Sequence, residues 1–328
     1  MNYYTILLKF LLSQKTIKSC IYSLIILGSI HIYTSQELYK KTFTESFITS
    51  HDGLSLYSLY MSGENSHDDS PVIVWVHGFS KHCQRFLPAM NYCAQQGFAS
   101  IGYDVRGHGR SGGTRAHMDN WQQHIDDFIS VCSYYKEKIA HKKLFIVSHS
   151  LGTIIPMRYI QESCNEVSKV SLSGIIATAP CFEPHSSVAS WYKRSIASWI
   201  GSFFPTYSLS LKRKHSEKLT HDQELVLLDQ KDPYIERSVT LGALHIGFEA
   251  CQCAFDDAHK INVPLHILMA GDDQIVNNQK TCEFYNKLPR TLDKSMTVFE
   301  GMYHSMLQEV DRHLVYQKIC EIIGHYSY

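Results

Sequence analysis

Short apolar runs separated by polar, turn-rich stretches recur along most of this chain. The runs at 43–49 and 54–60 are β-rich and are joined by His51-Asp52-Gly53, a hairpin signal. The run 72–76, Val-Ile-Val-Trp-Val, shows no alternation and predicts a strand buried on both faces. Further strands are predicted at 99–103, 144–147, 175–179, 265–270 and 296–299. Between them the spacing changes to a helical one. Residues 85–96 read as a helix stopped by Gly97. Over 121–139, Trp121, Ile125, Phe128, Ile129, Cys132, Tyr135 and Ile139 fall on one helical face. Strands alternating with helices predict an α/β fold with a mostly parallel sheet covered on both sides.

Two regions break this rhythm. From 181 to 257 no buried strand is legible, and helical pieces rich in Trp and Phe stand between two core strands. That is where a helical cap would be inserted, either as an apolar substrate lid or as a core helix pair. At the N-terminus, Lys9, Lys15 and Lys18 precede an apolar run from Cys20 to Tyr33. The run is short for a membrane span, and no clean cleavage site follows it. An uncleaved signal anchor with its Lys side cytoplasmic is expected, which would make the protein membrane-associated. The alternative is a cleaved signal with a secreted or periplasmic product. The expected organisation is therefore a leader at 1–40, a core at 41–180, a cap at 181–257 and the rest of the core at 258–328.

Composition narrows the function classes. Lys+Arg and Asp+Glu are both 31, so net charge gives no reason to expect nucleic acid as a partner. Ten Cys are scattered through the chain, and 328 residues are far too many to need a disulfide framework. Cys251 and Cys253 form the only close pair, with no second Cys/His pair at ligand spacing, so a zinc site is not expected. Most of the Cys read as small core residues.

The chemistry gathers at the ends of three predicted strands. Run 144–147 leads into Ser148-His149-Ser150-Leu151-Gly152 and then a helix-like stretch, the context of a nucleophile elbow with Ser150 at its tip. The pattern departs from G-x-S-x-G because Ser148 replaces the first Gly. A Ser nucleophile needs an acid and a base, in the order Ser, carboxylate, His for this kind of fold. Asp272 and Asp273 follow strand 265–270, and His304 follows strand 296–299. Loops after parallel strands share one edge of the sheet. The backbone N–H groups of Leu151 and Phe79 are the candidate oxyanion donors, Phe79 lying in the His77-Gly78-Phe79-Ser80 loop after strand 72–76. His77 reads as a structural residue under that loop. No metal or organic cofactor is expected.

These residues carry a resemblance. His77-Gly78, the segment Asp104-Val105-Arg106-Gly107-His108-Gly109-Arg110-Ser111-Gly112, the elbow, Gly271 to Val276 and Phe299 to His304 together resemble the α/β-hydrolase superfamily. The likeness is strongest to its monoglyceride lipase and lysophospholipase branch and runs from about Phe43 to the C-terminus. It implies a serine esterase acting through an acyl-enzyme on single-acyl lipid esters, monoacylglycerol or lysophospholipid. It also favours Asp273 over Asp272, by its spacing to Ile275-Val276. Arg106 and His108 belong to a scaffold loop and receive no catalytic role. Aminopeptidase, thioesterase and acyltransferase activities share this fold, and a non-catalytic binding protein is the rival of another class. An aminopeptidase would want a carboxylate in the cap, for which Glu183, Glu217, Glu224 and Glu236 are available.

Overall fold

The computed structural model describes residues 43–162, 170–189, 191–211 and 217–326. The expected leader at 1–40 lies outside them. Among the described residues no helix is long and apolar enough to cross a membrane. Residues from Glu45 onward form one compact unit.

The strands are β1 (Phe43–Thr49), β2 (Ser55–Met61), β3 (Val72–Val76), β4 (Ala99–Tyr103), β5 (Leu144–His149), β6 (Gly174–Thr178), β9 (Leu265–Ala270) and β10 (Lys294–Phe299). They form an 8-stranded sheet in the order β1-β2-β4-β3-β5-β6-β9-β10. Pairing is antiparallel between β2 and β4 and parallel from β4 across to β10. Every residue of β3, β4, β5, β6 and β9 is buried, as expected for strands covered on both faces. Edge strand β10 is mostly half-buried. Helices α1 (Leu87–Gln95), α2 (Gln122–Tyr134), the short α3 (Lys136–Ile139), α4 (Ile154–Glu162), α8 (Asn278–Lys287) and α9 (Arg312–His325) accompany the sheet. The expected α/β class with a mostly parallel sheet is the one observed. The expected single helix over 121–139 is instead two, α2 and α3, divided at Tyr135.

The parallel register aligns the C-terminal strand ends. Val76 is level with Ser148, His149 with Thr178, and Ala270 with Phe299. The loops that leave β3, β5, β9 and β10 therefore open on one edge of the sheet.

Between β6 and β9 lie α5 (Trp191–Phe203), β7 (Ser208–Ser210), α6 (Gln223–Lys231), β8 (Ser238–Thr240) and α7 (Leu241–Asp256). Strands β7 and β8 make a separate two-stranded antiparallel ribbon. It was not legible in the sequence, because β7 is exposed throughout and carries no burial pattern. Helix α7 starts on a Thr240 cap, whose hydroxyl accepts from Ala243 N–H at 3.1 Å. It packs on both α5 and α4. Its C-terminal half places Ala250, Cys251, Ala254 and Phe255 in the main hydrophobic core. The stretch expected as a cap thus ends in a helix that belongs partly to the core.

Candidate active site

The turn after β5 dictates the shape of the site. Ser150 opens a 3-10 turn, Ser150–Thr153, with φ +54°, a left-handed conformation that is strained for a residue bearing a Cβ. Surrounding small residues make room for it. A Cβ on Gly152 would come within 2.3 Å of His77 O, and one on Gly78 within 2.8 Å of Ser150 Cβ. The β3 loop and the β5 turn therefore touch through bare backbone. Ser148 fits the elbow fully buried, at the cost of a side-chain hydroxyl with no hydrogen-bond partner among the described residues. Thr153 Oγ1 donates to Ser150 O at 2.7 Å and closes the turn on itself.

The structure brings Ser150, His304 and Asp273 together. Ser150 Oγ lies 2.8 Å from His304 Nε2, and His304 Nδ1 lies 2.7 Å from Asp273 Oδ2. The other oxygen of Asp273 accepts from Ile275 N–H at 2.8 Å and Val276 N–H at 3.0 Å. Burial of Asp273 works against its charge, but His304 and these two N–H groups outweigh it and hold the carboxyl below its ordinary value. Asp272 is exposed and does not reach His304; its backbone N–H donates to Met302 O at 3.0 Å. A carboxylate fixed on imidazole Nδ1, with Nε2 facing a hydroxyl, can move a proton from that hydroxyl and steady the resulting imidazolium.

Phe79 and Leu151 border a small recess of about 20 Å³, together with His77, Gly78, Gly152 and Trp121. Among the described residues, neither N–H donates to a protein acceptor. His77 holds the Phe79 loop from beneath. Its Nδ1 meets Gly78 O at 2.8 Å, and its Nε2 accepts from Val105 N–H at 2.9 Å. Burial first, and His108 second, depress its pKa well below the ordinary value, so the ring is a neutral strut. Arg106 is spent on a buried ion pair with Asp127 at 2.7 Å and a second pair with Asp52 at 2.9 Å. His108 Nδ1 meets Arg106 O at 3.0 Å.

One neighbour escaped the sequence reading. His149 is buried beside His304, with ring centroids 4.9 Å apart. Thr178 Oγ1 donates to Ser148 O at 3.1 Å and so accepts from His149 Nδ1–H at 3.0 Å. Burial, then the nearby His304, lower the His149 pKa to about 3. A neutral ring there adds no positive charge against the imidazolium that His304 would carry. Strand alternation was the available signal, since it places His149 on the opposite face from Ser148. Among the described residues no His/Cys/Asp/Glu group is arranged to hold a metal ion.

Comparison with known proteins adds a family. A family model described as serine aminopeptidase, S33, matches residues 68–311. An uncharacterized abhydrolase domain-containing protein of Dictyostelium discoideum is 26% identical over 237 residues, which cover 72% of this chain and 24% of that relative. The chain therefore spans about a quarter of that relative's length. The monoacylglycerol lipase of Mycolicibacterium smegmatis is 22% identical over 260 residues, covering 79% of this chain and 90% of its own. A soluble variant of Saccharomyces cerevisiae monoglyceride lipase, crystallised with a substrate analog, is similar in structure with a TM-score of 0.77 at 18% identity. That match covers 88% of this chain and 96% of the yeast one, and at such identity it shows the fold.

Proposed function

The chain belongs to the serine aminopeptidase S33 family of α/β-hydrolases, a family of hydrolases, and from that premise we propose that it is a carboxylic ester hydrolase with Ser150 as nucleophile. The observation that carries the reading is the continuous line of hydrogen bonds from Ser150 through His304 to Asp273. His304 Nε2 takes the hydroxyl proton as Ser150 Oγ attacks the ester carbonyl carbon. The oxyanion formed is met by the N–H groups of Phe79 and Leu151, each worth about 3 kcal/mol in a dry site. The tetrahedral intermediate collapses, His304 returns the proton to the leaving alcohol, and an acyl group remains on Ser150. Water, deprotonated by His304, then releases the acid and regenerates the enzyme.

The proposed substrates are single-acyl lipid esters, monoacylglycerol or lysophospholipid. Similarity to a monoacylglycerol lipase supports this. So does an exposed apolar stretch on α5 and after it, where Trp199 is 68%, Phe203 65%, Phe204 64% and Tyr207 61% accessible. A surface of that kind suits a lipid aggregate better than a dissolved peptide. The family description keeps aminopeptidase activity as the second reading. The carboxylates that could hold a substrate amine give it little support. Glu183 is bonded to Asn277 at 2.9 Å, Glu236 is paired with Arg115, and Glu217 and Glu224 are exposed.

A fluorophosphonate probe tests the nucleophile. Wild type should be labelled and Ser150→Ala should not, with kcat falling about 10⁴-fold or more in the variant. Unlabelled wild type, beside a reactive control hydrolase, would sink the hydrolase reading. Monoacylglycerols, lysophospholipids, p-nitrophenyl esters and aminoacyl amides assayed side by side decide the substrate class.

A further inference from the structure

Glu309 is 2% exposed, and the reaction above has no use for it. A buried carboxylate is costly unless it is well bonded, and this one is. It accepts from Tyr303 N–H at 2.9 Å, from His221 N–H at 3.1 Å and from Val310 N–H at 3.1 Å. Thr220 Oγ1 at 3.3 Å and His221 Nδ1 at 3.0 Å complete the set. Tyr303 is the residue before His304. On the other side, Ser305 N–H donates to Leu219 O at 2.7 Å. The His221 ring stacks on Tyr303 with centroids 3.7 Å apart. Both neighbours of His304 are thus fastened to residues 219–221, within the insertion between β6 and β9.

The same segment continues through α6 to a second set of fastenings. Asp222 caps α6, accepting from Glu224 and Leu225 N–H at 3.1 Å, and its other oxygen meets Arg312 at 3.0 Å. Near the far end of α6, Asp229 is ion-paired with both Lys81 and Arg85. Asp232 Oδ2 lies 2.9 Å from His82 Nε2. Glu236 N–H donates to Ser80 O at 3.1 Å, and Ser80 Oγ donates back to Glu236 O. Ser80, with φ +70°, follows Phe79 directly. Three consecutive residues after the candidate oxyanion donor are therefore held by one stretch of chain.

We infer that residues 219–236 are a positioning strut for the reaction centre, setting the His304 loop at one end through Glu309 and the Phe79 loop at the other through Asp229, Asp232 and Glu236. The inference rests on the hydrolase reading above. In a free lid, opening would leave both loops untouched. Here displacing the segment strands the N–H of Ser305, the carboxylate of Glu309 and the carbonyl of Ser80, so base and oxyanion donor lose their places together. Glu309 and Asp229 touch no reacting atom; they act through Tyr303 and Lys81.

The test compares full-length wild type with Glu309→Gln, Asp229→Asn and Asp229→Glu on a soluble p-nitrophenyl ester, with a short alkyl trifluoromethyl ketone as inhibitor. The ketone adds to Ser150 and needs both His304 and the oxyanion donors, so its affinity reports transition-state geometry. Misplacing these groups by a fraction of an ångström should lower kcat about tenfold to a hundredfold in Glu309→Gln and Asp229→Asn, with KM within about twofold. Ketone affinity should fall in step with kcat/KM, and Asp229→Glu, which keeps the charge, should recover most of the loss. Melting temperature is measured on each variant. Should Glu309→Gln fail to fold, Asp229→Asn and its rescue decide the matter, since Asp229 is partly accessible. Unchanged kcat and ketone affinity in folded variants overturn the strut alone, as does a loss confined to melting temperature. An unlabelled, inactive wild type overturns the hydrolase reading and the strut with it.

Discussion

The two halves of the insertion between β6 and β9 are built on opposite principles. The first, α5 and the stretch up to Leu211, turns Trp199, Phe203, Phe204 and Tyr207 toward solvent. The second, residues 217–240, turns Asp229 and Asp232 inward, onto Lys81, Arg85 and His82, and sets His221 on the buried Glu309. A surface that keeps large apolar groups in water is held there against the hydrophobic effect, which is reasonable where it is to meet an apolar partner. A segment that buries ion pairs gains little net stability from them, but it is fixed in place, because any displacement strands a charge. A cap built this way need not move or stay still as one piece.

Acid should separate the core from the latched half most strongly. Burial lowers His124 and His149 from 6.5 to about 3. The unfolded chain takes up a proton at each below 6.5 while the folded chain stays neutral until about 3, so stability falls as pH drops through that window. Each histidine contributes about 1.4 kcal/mol per pH unit. Burial of Asp232 works against its charge, but His82 outweighs it and holds the carboxyl below its ordinary 3.8, so its contribution is complete above that value and is lost only as pH falls further. Urea unfolding from neutral to mildly acid pH should show this slope, and His124→Gln should flatten it by one histidine's share. A slope unchanged in that variant would show that burial of His124 does not contribute to the acid sensitivity.

Glu309→Leu comes next in size. It leaves the N–H groups of Tyr303 and His221 buried without their acceptor, at about 1–3 kcal/mol each. Calorimetry should register several degrees of lost melting temperature. Asp229→Asn should cost about 1–3 kcal/mol, because Lys81 and Arg85 lose their charge partner in a partly buried place. Smallest in stability is the double change Trp199→Ser with Phe203→Ser, expected within about 0.5 kcal/mol of wild type. Its effect belongs on lipid dispersions, where KM should rise several-fold while turnover of a soluble short ester is kept. Equal losses on both substrates would erase the contrast between the halves.

Much of the sheet was legible because the inner strands are short, predominantly apolar runs, as strands buried on both faces are. Ser150 and His304 could be named because each follows a predicted strand, and parallel strands deliver their C-terminal loops to one edge; Asp272 and Asp273 both meet that condition, and only the family resemblance favoured Asp273. His149 was hidden in plain view within the elbow: strand alternation sets it opposite Ser148, but its packing against His304 depends on a residue 155 positions away. Glu309 and Ser80 could not have been found this way. Their partners lie 88 and 156 residues away, and hydrogen bonds over such separations leave no periodicity behind.

What this sequence determined by itself is local: where strands run, where the elbow turns, and which side chains can donate, accept or carry charge. Short-range sterics and the burial of apolar surface dictate those from neighbouring residues alone. Strand order, with β3 between β4 and β5, and the division of the insertion into an outward apolar half and an inward charged one came from the folded chain alone, as did the 2.7 Å contact of His304 with Asp273. Each of those depends on distances between residues far apart in the chain, fixed only when the whole core closes around them.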